Sequence, residues 1–145
     1  MSDKLDVVGI GNAMVDAIIP SNQSEIEKHE INRDSMNLID ENLKNNLHES
    51  YSIREMAGGG SLGNSMFGIT SFGGNGSFIG KIKNDEIGVY LQKDMIREGL
   101  KFPLGFTSPD ISTGCCTIFV EEDGTRTMCT FLAVSYTHLR AHETR

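Results

Sequence analysis

Apolar residues fall in short bursts along the chain, and the period of each burst predicts an element. Asp6-Val-Val-Gly-Ile-Gly-Asn12 reads as a short buried strand stopped by glycines, and Val15 to Ile19 as a second extended piece ended by Pro20. The polar stretch Gln23 to Glu30 predicts a short surface helix. Met36 to Asp40 predicts a further strand. Glu41 to Glu49 predicts a polar helix with Leu43 and Leu47 four apart on one face and Asp40 as its N-cap. From Ser61 to Phe72 the apolar residues surround more than one helical face, so that helix is expected to pack against a sheet. Gly73-Gly-Asn-Gly76 ends it, because glycine adopts the left-handed backbone at little cost. Ser77 to Ile82 reads as a strand, and Asp85 caps a helix through Glu98 with Ile87, Leu91 and Met95 on one stripe. This alternation of strand and helix predicts βαβ units and a parallel sheet. The pattern then changes. Cys115 to Val120 and Thr125 to Leu132, joined around Asp123-Gly124, predict an antiparallel hairpin in a separate small sheet or flap.

Composition narrows the function classes. The chain of 145 residues carries a formal charge of −7, which argues against a nucleic-acid partner, since phosphate contacts need clustered Lys and Arg. No apolar run approaches the roughly 20 residues that span a bilayer, and the N-terminus lacks the basic start of a signal peptide. No membrane partner is therefore expected. Cys115, Cys116 and Cys129 have no paired spacing and no His-rich neighbour. They are expected to be buried reduced thiols in a cytoplasmic protein, with no metal site. Glycine is the outlier: nine of the sixteen fall between Gly58 and Gly80.

Two familiar phosphate motifs fail. Gly9-Ile-Gly-Asn-Ala-Met14 starts like a dinucleotide fingerprint but has Met14 where the third glycine belongs, and Pro20 follows instead of a helix. Gly80-Lys81 lacks both the leading glycine and the following hydroxyl of a phosphate loop. His29, His48, His138 and His142 suggest no nucleophile–base arrangement. What remains is Ala57-Gly-Gly-Gly-Ser-Leu-Gly-Asn64, a glycine-rich turn between a strand and a buried helix. Glycines there let a ligand approach the main chain, and Asn64 can both donate and accept towards a polyhydroxylated molecule.

In order along the chain, Gly9-Ile-Gly-Asn12-Ala-Met-Val-Asp16, Gly59-Gly60-Ser-Leu-Gly-Asn64, Phe78-Ile-Gly-Lys81 with Asp85-Glu-Ile-Gly88, Thr113-Gly114 and Asp123-Gly-Thr-Arg126 resemble the N-terminal part of the ribokinase-type (PfkB) carbohydrate kinases. Met36-Asn-Leu-Ile-Asp40 and Thr130-Phe-Leu lean towards the adenosine-kinase-like branch. The resemblance implies a three-layer α/β/α domain with a small β-sheet lid, contributed by about residues 15–40 and 113–132. It also implies ATP-dependent phosphoryl transfer, with Mg2+, to a primary hydroxyl of a small sugar or nucleoside. Asn12 and Asp16 would bind substrate hydroxyls, a carboxylate being a strong acceptor for two of them. Gly59, Gly60 and Asn64 would complete the substrate site, and Arg126 would assist the transferred phosphoryl group. Family members often dimerise through the lid. A fructokinase or ketodeoxygluconate-type kinase is the alternative within the family, and a non-catalytic sugar- or nucleoside-binding module the alternative outside it.

The chain departs from the family pattern in three places. Gly58 stands where Ala or Ser is common, and Ala133 where Gly is frequent. No Gly-Ala-Gly-Asp segment, which carries the family's catalytic aspartate, occurs in the chain. Residues 134–144 lack periodicity and resemble the translation of a sequencing adapter, so residues 133–145 are expected to be a non-native tail. Residues 1–132 are then the N-terminal part of a kinase domain, expected to be inactive alone and to bind neither ATP nor Mg2+ tightly.

Overall fold

The computed structural model describes residues 4–103, 105–108 and 110–133. Apart from Ala133, the adapter-like tail lies outside the described residues, as do His138 and His142. The chain runs β1 (Val7–Ile10), β2 (Met14–Pro20), α1 (Gln23–Glu27), β3 (Met36–Leu38), α2 (Glu41–Ser50), β4 (Glu55–Gly59) and α3 (Ser61–Ser71). It continues with β5 (Gly76–Ile79), β6 (Ile82–Lys83), α4 (Glu86–Arg97), β7 (Phe106–Ser108), β8 (Gly114–Val120) and β9 (Arg126–Phe131).

Local chemistry explains most boundaries. Asp40 caps α2 by accepting from Leu43 N at 2.8 Å, and Asp85 caps α4 by accepting from Gly88 N at 2.8 Å. Asn22 and Glu25 form a reciprocal capping box on α1. That helix stops at Glu27, short of the expected Glu30, because the chain reverses through Glu30 at φ 55°. The single strand expected over 77–82 is broken at Gly80 into β5 and β6. A Cβ at Gly80 would meet Gly11 O at 2.9 Å, so the two backbones pass too closely for any side chain. The short strand β7 has no counterpart in the apolar pattern.

The βαβ expectation holds where β1 pairs with β5 in parallel, and Ser77 bridges Lys101 beyond it. The hairpin β8–β9 is antiparallel and belongs to a five-stranded sheet in the order β3-β9-β8-β2-β4. This lid sheet thus also takes in β2, β3 and β4. Its strand β2 runs parallel to β8 and antiparallel to β4.

Two apolar cores result. Met66 of α3 and Leu91 and Met95 of α4 pack with Phe78, Ile82, Leu100 and Phe102. Ile26 and Leu47, from α1 and α2, pack with Ile19, Phe119 and Cys129 behind the lid sheet. Strand β2 joins them, with Val15 in the first core and Ile19 in the second. Each fully buried side chain of this size contributes about 1.5–3 kcal/mol. The three cysteines are buried and free. No helix among the described residues is long and apolar enough to cross a membrane.

Candidate functional site

Alternation along β2 creates the site. Val15, Ala17 and Ile19 are buried at 0–1% exposure on one face, so Met14, Asp16 and Ile18 point to the other. Strand register extends that second face across the sheet. Ala57, Asp16, Cys116, Thr130 and Leu38 form one row, and Ile18, Ile118, Met128 and Met36 the next. The opposite faces of these strands carry Phe119 and Cys129 into the second core, which leaves this one open.

The open face looks onto the end of β1 and the start of α3 across a cleft of about 620 Å³. Its polar floor comes from Asn12, Ser61 and Asn64, with Gly11 and Gly60 as bare backbone, and Asp16 adds its carboxylate from the sheet face. Its roof is Met14, Cys116, Ile118, Met128, Thr130 and Leu132 from the lid sheet. Thr130 Oγ1 donates to Cys116 Sγ at 3.4 Å, so the one polar pair of the roof is largely self-satisfied.

Asn12 and Asp16 both line the cleft, and neither engages the other. Asn12 Oδ1 is shielded from solvent and accepts no hydrogen bond, a state that costs about 1–3 kcal/mol until a donor arrives. Burial pushes the Asp16 carboxyl above its ordinary value. Neither side chain has a hydrogen-bond or ion-pair partner among the described residues.

The glycines act beneath them. The expected turn is instead the end of β4, so Gly58 and Gly59 lie within a strand paired to β2. The Asp16 carboxylate fills the space that a Gly59 side chain would need. Gly60 takes φ 78°, ψ 152°, a region open only to glycine, and so turns the chain from β4 directly into α3. Asn64 then sits one turn into the helix, facing the cleft.

The structure therefore brings Asn12, Asp16, Gly60 and Asn64 to one cleft, with Gly59 supporting Asp16. Arg126 is not among the cleft residues. It is exposed and pairs with Val120 at the start of β9, on the same face as Met128 and Thr130 but four residues from Thr130, about 13 Å along the strand. The apolar roof was missed by sequence reasoning. Its signal was the alternate positions of two strands, Cys116 and Ile118 on β8 and Met128 and Thr130 on β9 with Leu132 beyond, which read equally well as core. Among the described residues no group of three or more His, Cys, Asp or Glu is gathered.

Residues 5–143 match the profile of the pfkB family carbohydrate kinases. The structure superposes on the adenosine kinase from Sinorhizobium meliloti with a TM-score of 0.80 and 35% identity, over 91% of this chain and 40% of that one. A probable sugar kinase from Rhizobium etli gives 0.79 and 30% identity, over 92% and 40%. Anopheles gambiae adenosine kinase, in complex with a di-adenosine tetraphosphate, gives 0.77 at 24% identity over 92% and 42%, a likeness of fold. No curated protein matches the chain. The chain spans well under half the length of each of these structures. Its α/β arrangement with a lid sheet is the ribokinase-like fold.

Proposed function

This chain belongs to the pfkB family of carbohydrate kinases, and on that footing we propose that it forms the acceptor-binding part of a kinase that phosphorylates the primary hydroxyl of a nucleoside such as adenosine. One observation carries this reading: the cleft joins the polar groups of Asn12, Asp16 and Asn64 to an apolar sheet face of Met14, Ile118, Met128 and Leu132. A sugar bonded on all sides by hydroxyls gains little from four apolar side chains. A ribose carrying a flat base satisfies both, with its hydroxyls on the polar groups and the base against the apolar face.

In this reading the ionised Asp16 accepts two ribose hydroxyls and Asn12 Oδ1 receives the donor it lacks. Gly60 lets the ligand lie against the main chain, and Asn64 reaches the same ring from the first turn of α3. ATP and Mg2+ supply the phosphoryl group in the whole kinase. No step of the transfer is assigned to the residues described here. The base that takes the acceptor's proton belongs to a Gly-Ala-Gly-Asp segment this chain lacks. Arg126 lies on the cleft face towards the lid's tip, where it would meet phosphates only on lid closure. The chain alone is expected to bind acceptor and to transfer nothing.

Calorimetric titration with adenosine, 2′,3′-dideoxyadenosine and fructose tests the reading. Adenosine is expected to bind, with affinity falling at least tenfold when the ribose hydroxyls are removed. Preference for fructose would move the assignment to a sugar kinase, for which the Rhizobium etli likeness speaks.

A further inference from the structure

Helix α4 lies outside the cleft, yet it is tied to both strands that flank β2, the strand carrying Asp16. On one side Tyr90 OH donates to Met56 O, and Asp94 Oδ2 accepts from Gly58 N at 2.8 Å. The match is geometric. Residues 90 and 94 are about 6.0 Å apart along a helix, and residues 56 and 58 about 6.6 Å apart along a strand. Two successive inward positions of β4 can therefore bond two successive positions of one helix face. On the other side Asp85, the N-cap of α4, accepts from Thr113 N at 2.9 Å and from Thr113 Oγ1 at 2.8 Å, just before β8 begins.

Asp94 is an unusual tie. It is 5% exposed, and its second oxygen pairs with Arg97, whose side chain lies two-thirds in solvent. A buried carboxylate bonded to a main-chain N–H holds that N–H more firmly than a neutral acceptor would. The space around Gly58 is shaped to it, since a Cβ there would meet Asp94 Oδ2 at 2.9 Å and the Phe67 ring at 2.6 Å. The next residue is Gly59, on which the Asp16 carboxylate rests.

We propose that Asp94 and Tyr90 are positioning residues for the substrate site: by fixing β4 against α4, they hold the Gly58–Gly59 backbone under Asp16 and so set the geometry and hydration of its carboxylate. The proposal rests on Asp16 as the substrate anchor. It adds that a helix with no residue in the cleft controls that anchor through an edge strand. If β4 moves away, water reaches Asp16 and its carboxyl returns towards the ordinary range, and the floor no longer matches a ribose.

The test is a carboxyl-carbon NMR titration of Asp16 in the ligand-free chain, for wild type, Asp94→Asn, Tyr90→Phe and Arg97→Gln. The Gly58 amide proton shift reports whether its bond persists. Asp94→Asn and Tyr90→Phe are expected to lower the Asp16 midpoint and to weaken adenosine binding roughly tenfold. Arg97→Gln, which leaves the Gly58 bond in place, is expected to leave the midpoint unchanged. An unmoved Asp16 midpoint in a variant whose Gly58 amide has shifted overturns the proposal, and Tyr90→Phe decides should Asp94→Asn fail to fold. Because the titration needs no ligand, absence of adenosine binding by wild type would refute the nucleoside reading alone.

Discussion

The carboxylate of Asp16 lies across the main chain of Gly59, which sits diagonally from it on β4, and occupies the place where any side chain at that position would stand. Each residue is thereby explained by the other: the carboxylate needs a bare backbone beneath it, and the glycine is fixed by what lies above.

Gly59→Ala is expected to destabilise the chain by about 1–3 kcal/mol, the usual cost of forcing a methyl group into filled space. Adding Asp16→Gly should recover most of that loss, because the colliding group is gone. Urea unfolding of the two single variants and the double variant measures the coupling; additive losses would refute the contact.

Asp16 is held above its ordinary value by burial, so the folded state binds a proton more readily than the unfolded state. Its stabilising contribution is present at acid pH and is lost as pH rises from the unfolded value of 3.8 through the higher folded one. Asp16→Asn should therefore raise the thermal midpoint at pH 7 while leaving it nearly unchanged at pH 3.5. Adenosine binding should be lost in the same variant, a function purchased with stability. An equal shift at both pH values would contradict this.

Asp85 and Thr113, 28 residues apart, meet in one cluster. Asp85 caps α4 and accepts two bonds from Thr113, whose Oγ1 in turn accepts from Lys83 N at 3.0 Å. Thr113 is fully buried. Asp85→Ala is expected to cost roughly 2–4 kcal/mol, from a lost cap and orphaned buried donors. Thr113→Val should cost less, and the double variant less than the sum. Denaturant titration of all three reads this directly.

His48 sits behind the lid sheet with Nε2 2.8 Å from Thr117 Oγ1. Burial holds its pKa below the ordinary 6.5, with Lys44 adding to the effect and Glu86 opposing it. The group's contribution is then fully present above pH 6.5 and is lost as pH falls through the lower folded value. Unfolding free energies at pH 7.5 and 5.0 should converge less steeply for His48→Gln than for wild type. Identical pH dependence in the two proteins would exclude His48 as the source.

The elements were largely legible in the sequence. The stripe Ile87, Leu91 and Met95 and the cap Asp85 announce α4 by periodicity and local hydrogen bonding alone, and the structure places all three apolar residues on its packed side. The same holds for Asp40 and α2, and for the hairpin at Asp123-Gly124. The glycine run was misread in shape. Its three glycines suggest a turn, whereas two of them end a strand for reasons supplied by Asp16, Phe67 and Asp94, residues as far as 43 positions away.

The sequence by itself determined the family and the α/β order and singled out Asn12, Asp16 and Asn64 as candidates, because motif spacing and local capping act over a few residues at a time. The tertiary structure alone decided that β2 lies between β4 and β8 and that Met128 and Ile118 roof a cleft instead of filling a core. It also decided that Asp94 reaches Gly58. Those facts depend on register and on which face of each strand is covered, and a period of two is the same whichever face that is.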